Sequence, residues 1–470
     1  MNRAPEMPCH LMKTPQLSFS LSSMDRARDR IVSALIRMTL AIAGSDRPAG
    51  FMSYSSSLRI LNWVARIYGF EAKDLLNQDG AQLALLNLLN SISHYGIETP
   101  QRLKAPVSVV WSLSYRCNLR CMHCYQNASQ PSSDELTLGE QLGVVDQLAR
   151  IGVSMVVLSG GEPLTNPNLD RLIERIRMHR MAVSIDSNGV LMDRGIVNHL
   201  KALGVSSVEL SLDSVHAKSH DQFRGLDGAF QKTLDAVELC SQAGIFTTVA
   251  TTATTLNQAE SQQLISLARE HGASRVVFFD LIPAGRGKDV QMLSLSQRQL
   301  LDLMALVTNQ SLRDKGETFV ELPQHVIYSS IWNGNSISDR PEKALSVERF
   351  TVSSFFDCAG RGNLYRRLAP YLGGCPAGRM YCNIQPNGDV TPCMFMPTYP
   401  IAGNLRKQSF EEIWNSPVFE ALRDRKRLKG KCRECRFVAV CGGCRAKAAA
   451  YEGDYLASDP TCPIQGAANA

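Results

Sequence analysis

Three cysteines within eight residues, Cys117-Asn-Leu-Arg-Cys121-Met-His-Cys124, have the residue type and spacing to bind metal. A tetrahedral zinc would want a fourth ligand, and His123 can be proposed, but adjacent residues 123 and 124 make awkward joint ligands. A [4Fe–4S] cluster explains the odd count directly. Four thiolates would saturate its irons and hold an electron-transfer centre, whereas three leave one iron open to a small molecule. A second set follows far downstream: Cys375, Cys382 and Cys393, then Cys432-x2-Cys435-x5-Cys441-x2-Cys444, and finally Cys462. Eight thiols fill two [4Fe–4S] clusters or two structural zincs, and the count does not choose between them. Cys358 is an additional candidate ligand and equally an ordinary buried thiol, while Cys9 and Cys240 stand apart from both sets.

The elements that must position these thiols show a repeating change of period between residues 106 and 330. Val107–Leu113 reads as a strand running into the first cysteine loop. Helices at 137–151, 167–179, 191–203, 228–243 and 257–271 then alternate with strands at 153–158, 181–185, 205–212, 246–252 and 274–281, and 295–315 reads as a further helix. Strands separated by helices of this length make a parallel α/β sheet, barrel-like or doubly wound. Three polar turns follow its strands. Gly160-Gly161-Glu162-Pro163-Leu164 on its own is a strand-to-helix turn with proline opening the helix. Ser187-Asn188-Gly189 and Ser211-Leu-Asp213-Ser214 could serve as helix caps or as ligand contacts, with Ser211 and Asp213 sharing a face if the strand persists.

Residues 1–105 form a mostly helical extension, with periodic segments at 27–44 and 77–93; the first of these has a membrane-surface helix as its alternative reading. Residues 331–370, rich in Ser, Gly and Asn, bridge to a cysteine-rich unit at 371–470, whose clearest regular element is a helix at 409–426. Such a unit buries little apolar area, so metal ligation supplies part of its folding free energy.

The triplet Cys117-x3-Cys121-x2-Cys124, with Tyr125 behind it and the Gly160–Leu164 turn after it, resembles the signature of radical S-adenosylmethionine enzymes. The resemblance implies a partial (β/α)6 barrel, an enzyme, and a cluster whose open iron binds the methionyl amine and carboxylate of S-adenosylmethionine. Electron delivery then splits the cofactor into methionine and a 5′-deoxyadenosyl radical. It further implies cofactor contacts at Tyr125, Gly160, Gly161, Glu162, Pro163, Ser187, Asn188, Ser211 and Asp213, with Ile282 as the adenine wall and His123 as loop wall. A nucleotide-binding glycine motif for ATP or NAD is then not needed.

The distal cysteines resemble the SPASM extension of the same family. The likeness places Cys375, Cys382, Cys393 and Cys444 on an inner auxiliary [4Fe–4S] cluster and Cys432, Cys435, Cys441 and Cys462 on an outer one. One departure is the two-residue gap between Cys441 and Cys444, where many members have three. The texture of residues 374–393 and of Cys441-Gly-Gly-Cys444 is similar to enzymes that remodel haem precursors in the haem d1 and sirohaem-dependent routes. This implies a tetrapyrrole substrate, with Arg224, Arg286, Arg379 or Arg445 as candidates to take its carboxylate arms. A peptide- or protein-modifying maturase is the alternative, and an iron–sulfur electron-transfer or interaction module is the alternative of another class.

Composition bounds the rest. With 470 residues, 44% hydrophobic and 20% charged, and a net charge of +6, the chain suits two or three soluble units and not a nucleic-acid binder. The chief basic run, Arg423 to Lys431, reads as solvated surface. No export signal and no run of roughly 18 apolar residues is present, so a cytoplasmic protein with reduced thiols is expected. Its expected partner is a low-potential electron donor such as flavodoxin or ferredoxin.

Overall fold

Ten strands lie in one sheet in the computed structural model, which describes residues 80–313, 319–321, 371, 373–439 and 441–462. They are β1 (Ser108–Ser112), β2 (Met155–Ser159), β3 (Ala182–Ser187), β4 (Ser207–Ser211), β5 (Phe246–Ala253), β6 (Arg275–Asp280), β7 (Phe319–Glu321), β8 (Tyr381–Ile384), β9 (Asp389–Thr391) and β10 (Gly403–Asn404). Strands β1 to β7 pair in parallel, each with the next in sequence. Parallel neighbours require a crossover, and helices supply it between β1 and β6. The chain is thus an α/β protein with a partial parallel barrel and a cysteine-rich C-terminal region, as the sequence resemblance implied.

Amphipathic spacing explains the crossovers. Helix Leu169–Met178 buries Leu169, Leu172, Ile173 and Ile176, the i, i+3, i+4, i+7 stripe that faces a sheet. Helix Leu138–Ile151 starts with a capping box in which Thr137 and Glu140 satisfy each other's backbone N–H groups. The strands between are buried on both faces; Val109, Trp111, Leu158, Val183, Ile185, Val208 and Val249 have no measurable exposure. All parallel strands end on the same side, so the loops after β1 to β6 gather at one rim, where ligands of open α/β sheets bind.

On the other edge of β1 the sheet continues into the C-terminal region. Strand β8 runs parallel to β1, pairing Ser108 with Tyr381 and Trp111 with Ile384, and β9 and β10 follow antiparallel. The C-terminal region therefore shares hydrogen bonds with the barrel's first strand. Trp414 adds a second junction: its indole N–H donates to the Leu103 carbonyl at 3.1 Å, and the Arg423 guanidinium lies 4.2 Å over its ring.

Three expectations need correction. The helix expected at 409–426 is broken into Phe410–Trp414, Pro417–Arg423 and a 3-10 turn at Arg425–Arg427. Pro417 is the reason: it holds Ser416 extended and opens a new helix at its first position. The basic run is not wholly solvated surface, since the Arg423 side chain packs on Trp414 and Arg425 is 7% exposed. A helix at Ala217–Arg224 had no counterpart in the sequence reading; it is short and polar, with only His220, Phe223 and Arg224 buried. The helix expected at 77–93 is described as Ala81–Tyr95, whereas the segment at 27–44, the bridge at 331–370 and Cys358 lie outside the described residues. Among the described residues, no helix is long and apolar enough to cross a membrane.

Candidate active site

The loop after β1 carries Cys117, Cys121 and Cys124 and is tied down from two sides. Arg286, in the turn after β6, donates from Nε to the Cys121 carbonyl at 2.9 Å and from Nη1 to the Ala128 carbonyl at 2.8 Å. The backbone N–H groups of Arg120 and Met122 donate to the carbonyls of Arg224 and Phe223 at the end of helix Ala217–Arg224. His123 is stacked on Phe223 at 4.2 Å, and burial pushes its imidazole down to about 3. A buried, neutral, stacked ring is a wall, as the resemblance implied.

Why two glycines follow β2 is visible in the backbone. A Cβ at Gly161 would stand 2.0 Å from the Arg116 carbonyl oxygen, and one at Gly160, where φ is +126°, 2.9 Å from Leu113 N and Ser114 O. The absence of side chains lets Gly161 and Glu162 donate to the Ser114 and Arg116 carbonyls, both at 2.8 Å. Glu162 then reaches the next turn: its carboxylate accepts from Ser187 Oγ at 2.8 Å, Asn188 N at 2.9 Å and Leu164 N at 3.2 Å. Asn188 in turn donates to Asn118 Oδ1 at 2.8 Å, beside Cys117. Burial nevertheless raises the Glu162 carboxyl to about 7, against the pull of those donors.

One cavity at the rim collects most of the residues singled out in the sequence. Cys117, Cys121, Cys124, Tyr125, Gly160, Gly161, Ser187, Asn188, Ser211 and Ile282 line it. Glu162, Pro163 and Asp213 are not among its lining residues. Asp213 is buried behind Arg224, whose Nε donates to it at 2.6 Å while Nη1 stands 3.8 Å from Cys121 Sγ. Burial would raise the Asp213 carboxyl, but Arg224 and two histidines pull it below its ordinary value, so the pair stays ionised. Its role runs through Arg224.

Five further residues of the wall were not read from the sequence. Asp186 and Glu209 are register partners on β3 and β4, and both face the cavity; burial first, then Glu209, push the Asp186 carboxyl well up. Asp280, at the end of β6, also lines the cavity and is ion-paired with Lys447 of the C-terminal region. Met394 and Phe395, directly after Cys393, complete the wall from the C-terminal side. The available signal was a lone acid inside an apolar strand, Val-Ser-Ile-Asp186-Ser, which a packed strand does not need.

Of the distal cysteines, Cys375, Cys382, Cys393, Cys432, Cys441 and Cys444 are buried and Cys435 and Cys462 half-buried. Burial pushes the Cys393 thiol up to about 12, so an anion there wants a compensating cation or metal. The surroundings supply cations: Arg379, Arg425 and Arg445 are all buried, and Arg445 Nη2 lies 3.7 Å from Cys432 Sγ. Tyr381 Oη lies 2.6 Å from Cys393 Sγ. Eight thiols among buried guanidinium groups fit anionic iron–sulfur clusters. Arg379 and Arg445, nominated for carboxylate arms, do not line the cavity. They donate to backbone carbonyls, Arg379 to Gly373 at 2.8 Å and Arg445 to Ala457 at 2.7 Å.

A parallel partial barrel with a three-cysteine loop at its rim and buried cysteines beside it defines an iron–sulfur enzyme. Residues 111–287 match the radical SAM superfamily and residues 375–436 the SPASM iron–sulfur cluster-binding domain. The chain belongs to the radical SAM/SPASM family; it is a catalyst that cleaves S-adenosylmethionine and carries SAM-binding and auxiliary [4Fe–4S] clusters. It is 33% identical over 361 residues to the AdoMet-dependent heme synthase of Methanosarcina barkeri, covering 76% of this chain and 96% of that one. It is 30% identical over 370 residues to the mycofactocin maturase MftC of Mycobacterium tuberculosis, covering 77% and 84%. In fold it is similar to Streptococcus suis SuiB bound to the precursor peptide SuiA, with a TM-score of 0.60, 19% identity, and 80% and 79% coverage.

Proposed function

We propose that this radical enzyme acts on a peptide or protein segment. The observation that carries this reading is the commitment of the cavity's arginines. Arg224 is held by Asp213, and Arg286 is spent on the cluster loop, while Asp186, Glu209 and the Lys447-paired Asp280 give the wall carboxyl groups that can accept hydrogen bonds. A substrate with many carboxylates would want guanidinium groups that are not already engaged. A peptide offers backbone N–H donors to such a wall and needs no cation. A maturase is also among the relatives, at 30% identity over 370 residues. A tetrapyrrole is the second reading, favoured by the higher identity to the heme synthase over nearly its whole length.

In this reading Cys117, Cys121 and Cys124 hold the SAM-binding cluster, which with the cofactor supplies a radical that takes a hydrogen atom from substrate carbon. The chain's own groups bind and shield. Backbone at Gly160 and Gly161 holds the methionyl ammonium, with the buried Glu162 carboxylate behind it as the nearby anion; Ser187, Asn188 and Ser211 orient the cofactor's polar groups; Ile282 backs the adenine; Phe279, Met394 and Phe395 exclude water. Cys375, Cys382, Cys393, Cys432, Cys435, Cys441, Cys444 and Cys462 would hold the auxiliary clusters, which would supply an electron relay from a low-potential donor of the flavodoxin or ferredoxin type.

Glu162 makes the assignment pH-dependent. With its carboxyl raised to about 7 in the free protein, protonation below that pH removes the anion that an ammonium seeks. S-adenosylmethionine affinity should therefore fall from pH 8 to pH 6, approaching about tenfold per unit below 7, and Glu162→Gln should bind weakly with little pH dependence. Equilibrium dialysis with labelled cofactor reads this. A wild-type affinity flat across the range would remove Glu162 from the ammonium site.

The substrate class is tested by anaerobic turnover with peptides encoded beside the gene and, separately, with iron porphyrinoids. Mass change in a peptide together with 5′-deoxyadenosine supports the first reading. Modification of the porphyrinoid alone replaces it with the second.

A further inference from the structure

Arg425 differs from every other buried cation near the distal cysteines. It is 7% exposed, and its Nε and Nη2 have no hydrogen-bond partner among the described residues. Arg379 and Arg445 occupy backbone carbonyls, and Lys447 is paired with Asp280. The fold nonetheless makes room for the Arg425 guanidinium. Gly442, between Cys441 and Cys444 with φ at +76°, leaves open the space in which its Cβ would stand 2.0 Å from Arg425 Nη1. Burial pulls its guanidinium below the ordinary value, and Cys375, Cys441 and Cys432 stand near enough to oppose that pull. These belong to both proposed sets: Cys375 to the inner cluster, Cys432 and Cys441 to the outer. A buried guanidinium with two idle donors is strongly unfavourable unless an anion stands against it.

We propose that Arg425 is the shared counter-cation of the two auxiliary clusters, donating from Nε and Nη2 to their sulfur atoms. A cluster gains one negative charge on reduction, so a fixed neighbouring cation stabilises the reduced form more than the oxidised one. Arg425 raises both auxiliary potentials together and is a positioning residue, since it touches neither substrate nor S-adenosylmethionine. The inference rests on the two-cluster reading of residues 375–462.

The test is an anaerobic redox titration followed by electron paramagnetic resonance on reconstituted wild type, Arg425→Gln and Arg425→Lys, each with iron and sulfide analysis. Wild type should bind about 12 irons in three clusters. Saturation at four would overturn the two-cluster reading and the proposal with it. In Arg425→Gln both auxiliary centres should become at least tenfold harder to reduce, about 59 mV lower for one electron. Arg425→Lys should recover most of that shift. Unchanged potentials in a fully loaded Arg425→Gln, or a shift in only one centre, would overturn the shared role. If Arg425→Gln loses auxiliary iron, retention by Arg425→Lys supports a need for the charge. Equal loss in both would assign the guanidinium to packing instead.

Discussion

Cys121→Ala, folded and loaded at its distal sites, should form no 5′-deoxyadenosine under reducing conditions, while Cys435→Ala should keep a substantial part of that activity. The contrast follows from where the two thiols stand. Cys121 is buried in the cavity wall, with its carbonyl gripped by Arg286 and its sulfur beside Arg224, so the loop has a backbone scaffold that survives loss of the side chain. What disappears is a ligand to the cluster that must present an open iron to the cofactor. Cys435 is half-buried in the distal set, and the cavity does not include it. Its loss weakens an auxiliary cluster and the metal-dependent folding around it. Deoxyadenosine measured per retained N-terminal cluster separates the two effects. Ample product from Cys121→Ala with that cluster absent would refute the assignment of the cysteine loop, and complete loss in a folded Cys435→Ala would give the distal set control over initiation.

Replacing Lys447 should be the most destabilising single change at the junction between barrel and C-terminal region. Its ammonium, 1% exposed, pairs with Asp280 at the end of β6 and donates to Thr461 Oγ1 at 2.7 Å. Removing one partner of a buried pair leaves the other charge in a poorly solvated place, which costs about 3–5 kcal/mol. Lys447→Met should lose that much by anaerobic urea unfolding, and Lys447→Met with Asp280→Leu should regain a good part of it, because the deserted carboxylate is then gone as well. A Lys447→Met protein within about 1 kcal/mol of wild type would show that the ion pair is not what joins the two regions. Asp280 also lines the cavity, so the single variant should alter substrate turnover as well as stability.

The barrel was legible because its signals are local. Each strand is a short apolar run and each crossover an amphipathic stripe, and the expected strand at 246–252 and helix at 228–243 agree within a residue or so with Phe246–Ala253 and Ala229–Gln242. The cysteine loop was legible through spacing. What stayed hidden depends on partners far along the chain. Asp186 gains meaning only beside Glu209, which register brings to it across two strands. Arg425 sits in a basic run that reads as surface until Cys375 and Cys441 are seen around it. The 409–426 helix is the opposite failure: Pro417 was in plain view, and its local rule outweighed the hydrophobic period.

The parallel ladder between β1 and β8 has a consequence for how the chain is made. Residues 108–112 leave the ribosome long before residues 381–384, so the nascent barrel carries this open edge until residues 381–384 have been synthesised. That edge is Ser-Val-Val-Trp-Ser, apolar, β-prone and uncharged, the composition that recruits foreign strands when left unpaired. A chain stopped before Tyr381 would therefore keep every cysteine of the first loop and still be expected to aggregate. Strand β8 thus acts as the cover for the first strand, whatever the metals around it do.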